Sequence, residues 1–224
     1  YKIIRLKGYD GASKDRSTGL KAIKDNKELI QKELLTDKKL HDADFVWIVC
    51  SLGGGTGCGA VSTIAQIVNS FIRPDKRIRV KRDKGGNIIN YGKSTTGIIA
   101  AIPDDNSSPK MKLNAAEALE ELKVLQSKNI IGSVMLVDNE KLINDYLKKP
   151  NTNTDWTTYG NATVAATISE LALLSGLPGT ETFDKSEILD IWSTPGFLFI
   201  GKNRLSKDWQ NSYIPDAIKK TEGY

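Results

Sequence analysis

The chain has 224 residues, of which 39% are apolar and 26% charged. That is the composition of a soluble globular protein with one sizeable core, or one domain plus part of another. A net charge of +5, from 32 basic and 27 acidic residues, permits contact with nucleic acid without demanding it. No apolar run approaches the ~20 residues of a membrane span, and no signal peptide is visible. The single histidine, His41, reads as a surface residue and leaves no material for a Ser-His-Asp site or a His-rich metal centre; the two cysteines, Cys50 and Cys58, make neither a disulfide framework nor a metal pattern and point to a reducing cytoplasm.

In chain order, residues 1–6 (YKIIRL) read as the end of a strand, and the expectation is that an earlier strand lies outside this sequence. Residues 8–19 (GYDGASKDRSTG) read as a loop. Residues 20–35 have helical spacing at Leu20, Ile23, Leu29, Ile30 and Leu34. Residues 45–50 (FVWIVC) form a short apolar run of the kind found in buried strands. Five glycines follow in seven positions: Gly53, Gly54, Gly55, Gly57 and Gly59, with Thr56 and Cys58 between them. An apolar-periodic helix then begins near Val61. Strand, glycine loop and helix form a phosphate-binding layout: glycine lets the backbone approach oxygens closely, and the helix N-terminus adds roughly half a positive charge.

Residues 77–91 read as a hairpin around Gly85-Gly86, with Lys76, Arg77, Arg79, Lys81, Arg82, Lys84 and Lys93 as a basic surface. A lysine-rich edge is the commoner explanation of such a hairpin, and direct nucleic-acid contact is the functional one. Residues 97–103 read as a buried strand and 103–109 (PDDNSSP) as a loop. Residues 111–128 read as an amphipathic helix with Leu113, Ala116, Leu119, Leu122 and Leu125 recurring, and Ala115 and Ala118 beside them. Residues 130–137 are a strand running into Asp138-Asn139-Glu140. A long helix, capped by Thr154 or Asp155, runs to about Ser175; its nearly all-round apolar face predicts burial between two layers. Residues 184–192 read as a helix whose Asp184 and Glu187 make a D-x-x-E capping box. Residues 197–201 (FLFIG) read as a strand.

Several nucleotide readings of the glycine loop compete. A Walker-type loop needs lysine after its last glycine, where Ala60 stands; the GKST run at 92–95 lacks the glycine six positions before its lysine, where Asn87 stands. Gly55 to Ala60 fits G-x-G-x-x-A, with Asp83 at the distance of a ribose-binding acid, and supports an NAD(P)-dependent oxidoreductase as the alternative. A third reading is a non-enzymatic DNA-binding partition or replication protein that uses the basic hairpin.

The full string GGGTGCG is more specific. It resembles the phosphate-loop signature of the tubulin/FtsZ superfamily, GGGTG[ST]G, with Cys58 at the Ser/Thr position, and the chain looks closest to the TubZ-type partition proteins of plasmids and phages. Gly11-Ala12-Ser13 is similar to the family's Gly-Ala loop, which faces the terminal phosphate; Lys14 and Arg16 are candidates to add positive charge there. The loop before the helix at 111–128 contacts the sugar in family members, but their usual Glu and Arg are not evident here. Asn139 and Asn161 match the asparagines that read guanine, and Tyr159 is a candidate to stack on the base. Asp184 and Glu187 match the last two positions of the catalytic Asn-x-Asp-x-x-Asp/Glu loop, with Thr182 in place of its Asn.

The resemblance implies a Rossmann-like, three-layer α/β GTPase domain with a parallel sheet over residues 1–153. A long core helix over 154–176 and a catalytic loop opening a second α+β domain over 177–224 would follow. It further implies GTP and GDP as ligands with Mg²⁺, head-to-tail filaments in which Asp184 and Glu187 complete the next subunit's site, and a DNA-binding adaptor as partner. The cargo implied is a plasmid or phage genome.

Overall fold

The computed structural model describes residues 3–71, 81–82, 84–86, 88–90, 93–149, 153–176 and 184–200. Its centre is a four-stranded, all-parallel sheet built from β1 (Val46–Ser51), β4 (Thr96–Ile102), β5 (Ser133–Asp138) and β6 (Gly196–Leu198), in the order β1-β4-β5-β6. The short strands β2 (Lys81–Arg82) and β3 (Ile88–Asn90) pair antiparallel apart from it, around a turn in which Gly86 takes φ +84°. Parallel strands need helical crossovers. The chain supplies α4 (Thr56–Phe71) after β1 and α5 (Pro109–Ser127) after β4. Between β5 and β6 it supplies α6 (Asn139–Leu147), α7 (Trp156–Leu173) and α8 (Lys185–Ser193).

Strand side chains alternate between the faces, and each face has its own helical layer. Ile98, Ala100 and Val134 point to α4 and α5, joining Val61, Ala65, Ala118 and Leu122 in one core. Ile99, Met135 and Val137 point the other way, toward Leu142 of α6 and toward Val164 and Ile168 of α7. A third cluster lies outside α4, where Ala60 and Ile67 meet Ile23 of α1 (Arg16–Asp25) and Ile30 of α2 (Lys27–Leu35), which the short α3 (Lys38–Asp42) follows. The three-layer α/β architecture expected from the sequence is therefore present.

Four details differ from the sequence reading. Residues 3–6 are not a strand; Ile4 and Leu6 instead pack against the outer cluster. The single helix expected over 20–35 starts earlier, at Arg16, because Asp15 caps it, and it breaks at Asn26. There the buried carboxamide donates to Ala22 O and Lys7 O and accepts from Lys7 N–H. The buried stripe of α5 is Ala115, Ala118, Leu122 and Leu125, whereas Leu113 is 59% exposed. Strict three-residue steps advance about 300° each and wander off one face, while alternating steps of three and four stay on it. Finally, α7 is covered on one side only: Gly160 and Thr167 are its buried residues, Leu173 is 63% exposed, and Ala162, Ala165 and Ala166 are exposed. The described residues supply one layer for this helix, not two.

Candidate functional site

The glycine loop connects the carboxyl end of β1 to α4. Its sequence-distant neighbour is the loop at 11–14. Gly11 has φ +149°, a conformation that favours glycine, and Ser13 and Lys14 follow at φ 45° and 60°. Left-handed conformations cost L-residues roughly 1–2 kcal/mol each. The surroundings hold them: Asp15 N–H donates to Ala12 O at 2.6 Å, and the Asn114 carboxamide donates to Lys14 O at 3.0 Å.

The two loops touch. A methyl group at Gly55 would lie 2.7 Å from Ala12 Cβ and from the backbone of Asp15, and one at Gly19 of α1 would lie 2.2 Å from Gly55 O. Gly53 faces Met111, Gly57 faces Ser51 O, and Gly59 faces the backbone of Arg16 and Leu20, so these three are small for packing. Gly54 differs, because nothing lies within 4 Å of the space its side chain would fill. Thr56, Gly11 and Ser13 are exposed, whereas Ala12 is buried. Gly11, Ala12 and Thr56 line one cavity of about 480 Å³, together with Arg5, Thr18 and Ala22. That is within the size range of small-ligand sites. Gly59 N–H donates to Gly55 O at 2.9 Å and closes the first turn of α4. The amides before it are the ones a helix leaves without an internal partner.

The Cys58 side chain is fully buried and donates to Asn114 O at 3.0 Å. Burial raises its thiol pKa, and burial pushes Cys50 up to about 12, so both are thiols at neutral pH. Arg16 does not present its charge to the cavity. Its side chain is 15% exposed and its guanidinium is paired with Glu121 and Glu117 of α5, and Glu121 also accepts from Ser62 Oγ at 2.6 Å. Burial opposes the Glu121 carboxylate, but the bonds from Ser62 and Arg16 outweigh it and hold its pKa below the ordinary range. Lys14 is exposed.

Along the same carboxyl edge of the sheet, Asp138 caps α6 by accepting from Glu140 N–H at 2.9 Å, and Asn139 is the first helical residue rather than the cap. Glu140 reaches across to the loop after β4, accepting from Asp105 N–H at 3.1 Å, and Lys112 bonds Asp105 O from α5. Asn161 is exposed in the second turn of α7, next to Gly160, which abuts Leu142 of α6. The ring of Tyr159 already has company: Tyr146 packs at 5.8 Å, and Lys149 Nζ lies 4.6 Å from its centroid while reaching its hydroxyl.

Asp184 and Glu187 are elsewhere. Asp184 caps α8, and its N–H donates to the Glu187 carboxylate at 2.8 Å, the arrangement of a capping box; both side chains are exposed. Lys185 pairs with Asp44, just before β1, and the backbone of Trp192 and Ser193 lies against Gly132, just before β5. Phe45, Trp47 and Trp192 cluster there with ring centroids 5.1, 5.5 and 5.6 Å apart. Helix α8 thus lies along the amino edge of the sheet, across the six residues of β1 from the glycine loop, which is about 20 Å at ~3.3 Å per residue.

Of the basic hairpin, Lys84 is exposed, and Lys93 is paired with Asp190 of α8. Lys76, Arg77, Arg79 and Asp83 lie outside the described residues, as do the side chains of Lys81 and Arg82, Thr182 of the loop expected to be catalytic, and the residues from Gly201 that were expected to belong to a second domain. Asn114, Glu121 and Glu140 were not singled out from the sequence. The one signal for Asn114 was an asparagine standing within a helix beside the small residues of its buried stripe.

No family model matches the chain. It is 28% identical over 219 residues to the tubulin-like protein TubZ of Bacillus cereus, an alignment covering 95% of this chain and 44% of the relative. Among solved structures it is similar to a GTPγS-form protofilament of TubZ from Bacillus thuringiensis serovar israelensis, with TM-score 0.71, 19% identity, and coverage of 97% of this chain and 55% of that one. It is also similar to an FtsZ dimer from M. jannaschii, with TM-score 0.57, 21% identity, and coverage of 94% and 52%. The chain spans about half the length of these relatives.

Proposed function

We propose that this chain, which is of the tubulin/FtsZ superfamily and TubZ-like in sequence, is the nucleotide-binding part of a GTPase whose active site is completed by a second copy in a head-to-tail filament. One observation carries the proposal. The Gly-Ala loop and the glycine loop, about 40 residues apart in sequence, meet at Ala12 and Gly55 and open onto one cavity with Thr56. The carboxylates of Asp184 and Glu187 sit at the opposite edge of the same sheet.

In this reading the phosphates lie over Gly54 and Thr56. The first-turn amides of α4 and the Thr56 hydroxyl donate to the oxygens, and the helix N-terminus adds its partial positive charge. Gly11 and Ser13 approach from the other side. Asn139 and Asn161 offer carboxamides to the guanine edge; stacking on Tyr159 would require Lys149 to give way. Among the described residues no group of His, Cys, Asp or Glu could hold a metal. Mg²⁺ would therefore be carried chiefly by the phosphates and its own waters, as that ion prefers, and would neutralise charge on them. Asp184 and Glu187 cannot reach their own loop across the sheet. They would orient and polarise a water toward the terminal phosphate of the next copy, while loop amides stabilise the transferring group. Such a contact joins two different surfaces and grows open filaments. The cargo proposed is a plasmid or phage genome, met through a DNA-binding adaptor.

The test separates catalysis from capping. Glu187→Gln keeps an acceptor for Asp184 N–H, and Gln serves in capping boxes, but it loses the carboxylate. The expected result on the full-length protein is unchanged GTP affinity and thermal stability, turnover reduced by about 10²-fold or more, and filaments that persist. Turnover at the wild-type rate would remove the catalytic assignment.

A further inference from the structure

We propose that Asn114, in the second turn of α5, is a positioning residue for the nucleotide: its carboxamide sets the spacing of the two phosphate-facing loops and so favours the triphosphate over the diphosphate. The inference rests on the GTP-binding reading above and adds a residue that belongs to neither loop. Asn114 is 5% exposed. Its Nδ2 donates to Lys14 O at 3.0 Å and to Gly53 O at 3.3 Å, and its backbone carbonyl accepts from Cys58 Sγ at 3.0 Å. A carboxamide nitrogen has two N–H donors, and each serves a different loop. One of those carbonyls belongs to Lys14, held at φ 60°; the other belongs to the residue before Gly54, the open position of the glycine loop. The salt bridges of Arg16 tie α1 to α5 but bond neither loop carbonyl.

The chemistry of the link is narrow. Asp at 114 would aim acceptors at two carbonyls, and Leu, similar in size, would leave both without that donor, the buried Gly53 O included. If the 11–14 loop faces the terminal phosphate, as the family resemblance implies, its misplacement affects GTP more than GDP. A merely structural residue would lower both affinities together. Asn26 supplies the control. It is equally buried at 6% exposure and likewise spans two segments, donating to Lys7 O and Ala22 O, but it bonds neither phosphate loop.

The experiment measures GTP and GDP dissociation constants and thermal unfolding for the full-length wild type, Asn114→Asp, Asn114→Leu, Asn114→Ser and Asn26→Leu. Expected is a roughly tenfold loss of GTP affinity in the Asn114 variants, as for a lost buried bond, with GDP affinity within about twofold of wild type. Asn26→Leu should unfold at lower temperature with the GTP-to-GDP ratio unchanged. Asn114→Ser, the smallest disturbance, is read for the same ratio where Leu does not yield folded protein. An unchanged ratio in the folded Asn114 variants overturns the inference, as does an equal shift in Asn26→Leu. A wild type that binds no GTP sinks the function proposed above, and this inference with it; a wild type that binds GTP beside variants of unaltered ratio sinks the inference alone.

Discussion

At Gly55 an added methyl group would meet Ala12 Cβ and the Asp15 backbone at 2.7 Å, whereas at Gly54 it would meet nothing within 4 Å. The same residue type thus serves packing at one position and access at its neighbour. Gly55→Ala is expected to overpack the loop contact and to destabilise by about 1–3 kcal/mol, seen as a fall in Tm whether or not nucleotide is present. Gly54→Ala is expected to unfold at the wild-type temperature and to bind GTP more weakly, because the methyl occupies the approach to the backbone amides. Equal Tm losses in the two variants, or full GTP affinity in Gly54→Ala, would contradict this division. From the sequence all five glycines carried one meaning, close approach to phosphate. The structure separates them because what lies opposite the packed glycines comes from Ala12 and Asp15, from α1, from Met111 and from β1, and such tertiary pairings leave no mark in a local motif. Cys58 illustrates the same limit: it stands at a signature position, yet its side chain bonds Asn114 O in the core.

The helices were legible where local chemistry decides them. Asp155 and Asp184 cap α7 and α8 as anticipated, and the strands after Phe45, Ser94 and Gly132 followed from their apolar runs. Where a distant partner decides, the reading failed. Asn26 breaks the first helix because its carboxamide serves Lys7, and the stripe of α5 turned out to be the one that includes Ala115 and Ala118. The cap of α1 carries a pH prediction. Bonds first from the Thr18 hydroxyl and then from the Ser17 hydroxyl hold the Asp15 carboxyl down at about 2, against an ordinary value of 3.8. A depressed folded value means that the cap's contribution is complete above about 3.8 and is lost as pH falls through about 2. Following the Asp15 carboxyl carbon by NMR should give a midpoint near the lower value. A midpoint at the ordinary one would show that the Thr18 and Ser17 bonds do not form in solution, and with them the turn that seats Asp15 against Gly55.

Across the whole molecule, the sheet separates two chemistries. The glycine loop follows the carboxyl end of β1 and the loops after β4 and β5 share that edge, where open parallel sheets place ligands, and α8 sets its carboxylates along the amino ends. Helix α7, 18 residues long and so about 27 Å at 1.5 Å per residue, runs between Leu142 near one edge and the Asp44–Phe45 region near the other. The order of motifs along the chain was legible in the sequence; the opposition of the two edges is a property of the folded sheet, and in the proposed function it makes two half-sites on one chain require two chains. The direct test is GTP turnover per subunit against concentration of the full-length protein, with light scattering recorded in parallel. A site completed between copies predicts turnover per subunit that is negligible below a critical concentration and rises steeply above it, together with scattering. Turnover per subunit that stays constant across that range, with or without scattering, would mean that each chain carries a complete active site and would contradict the account.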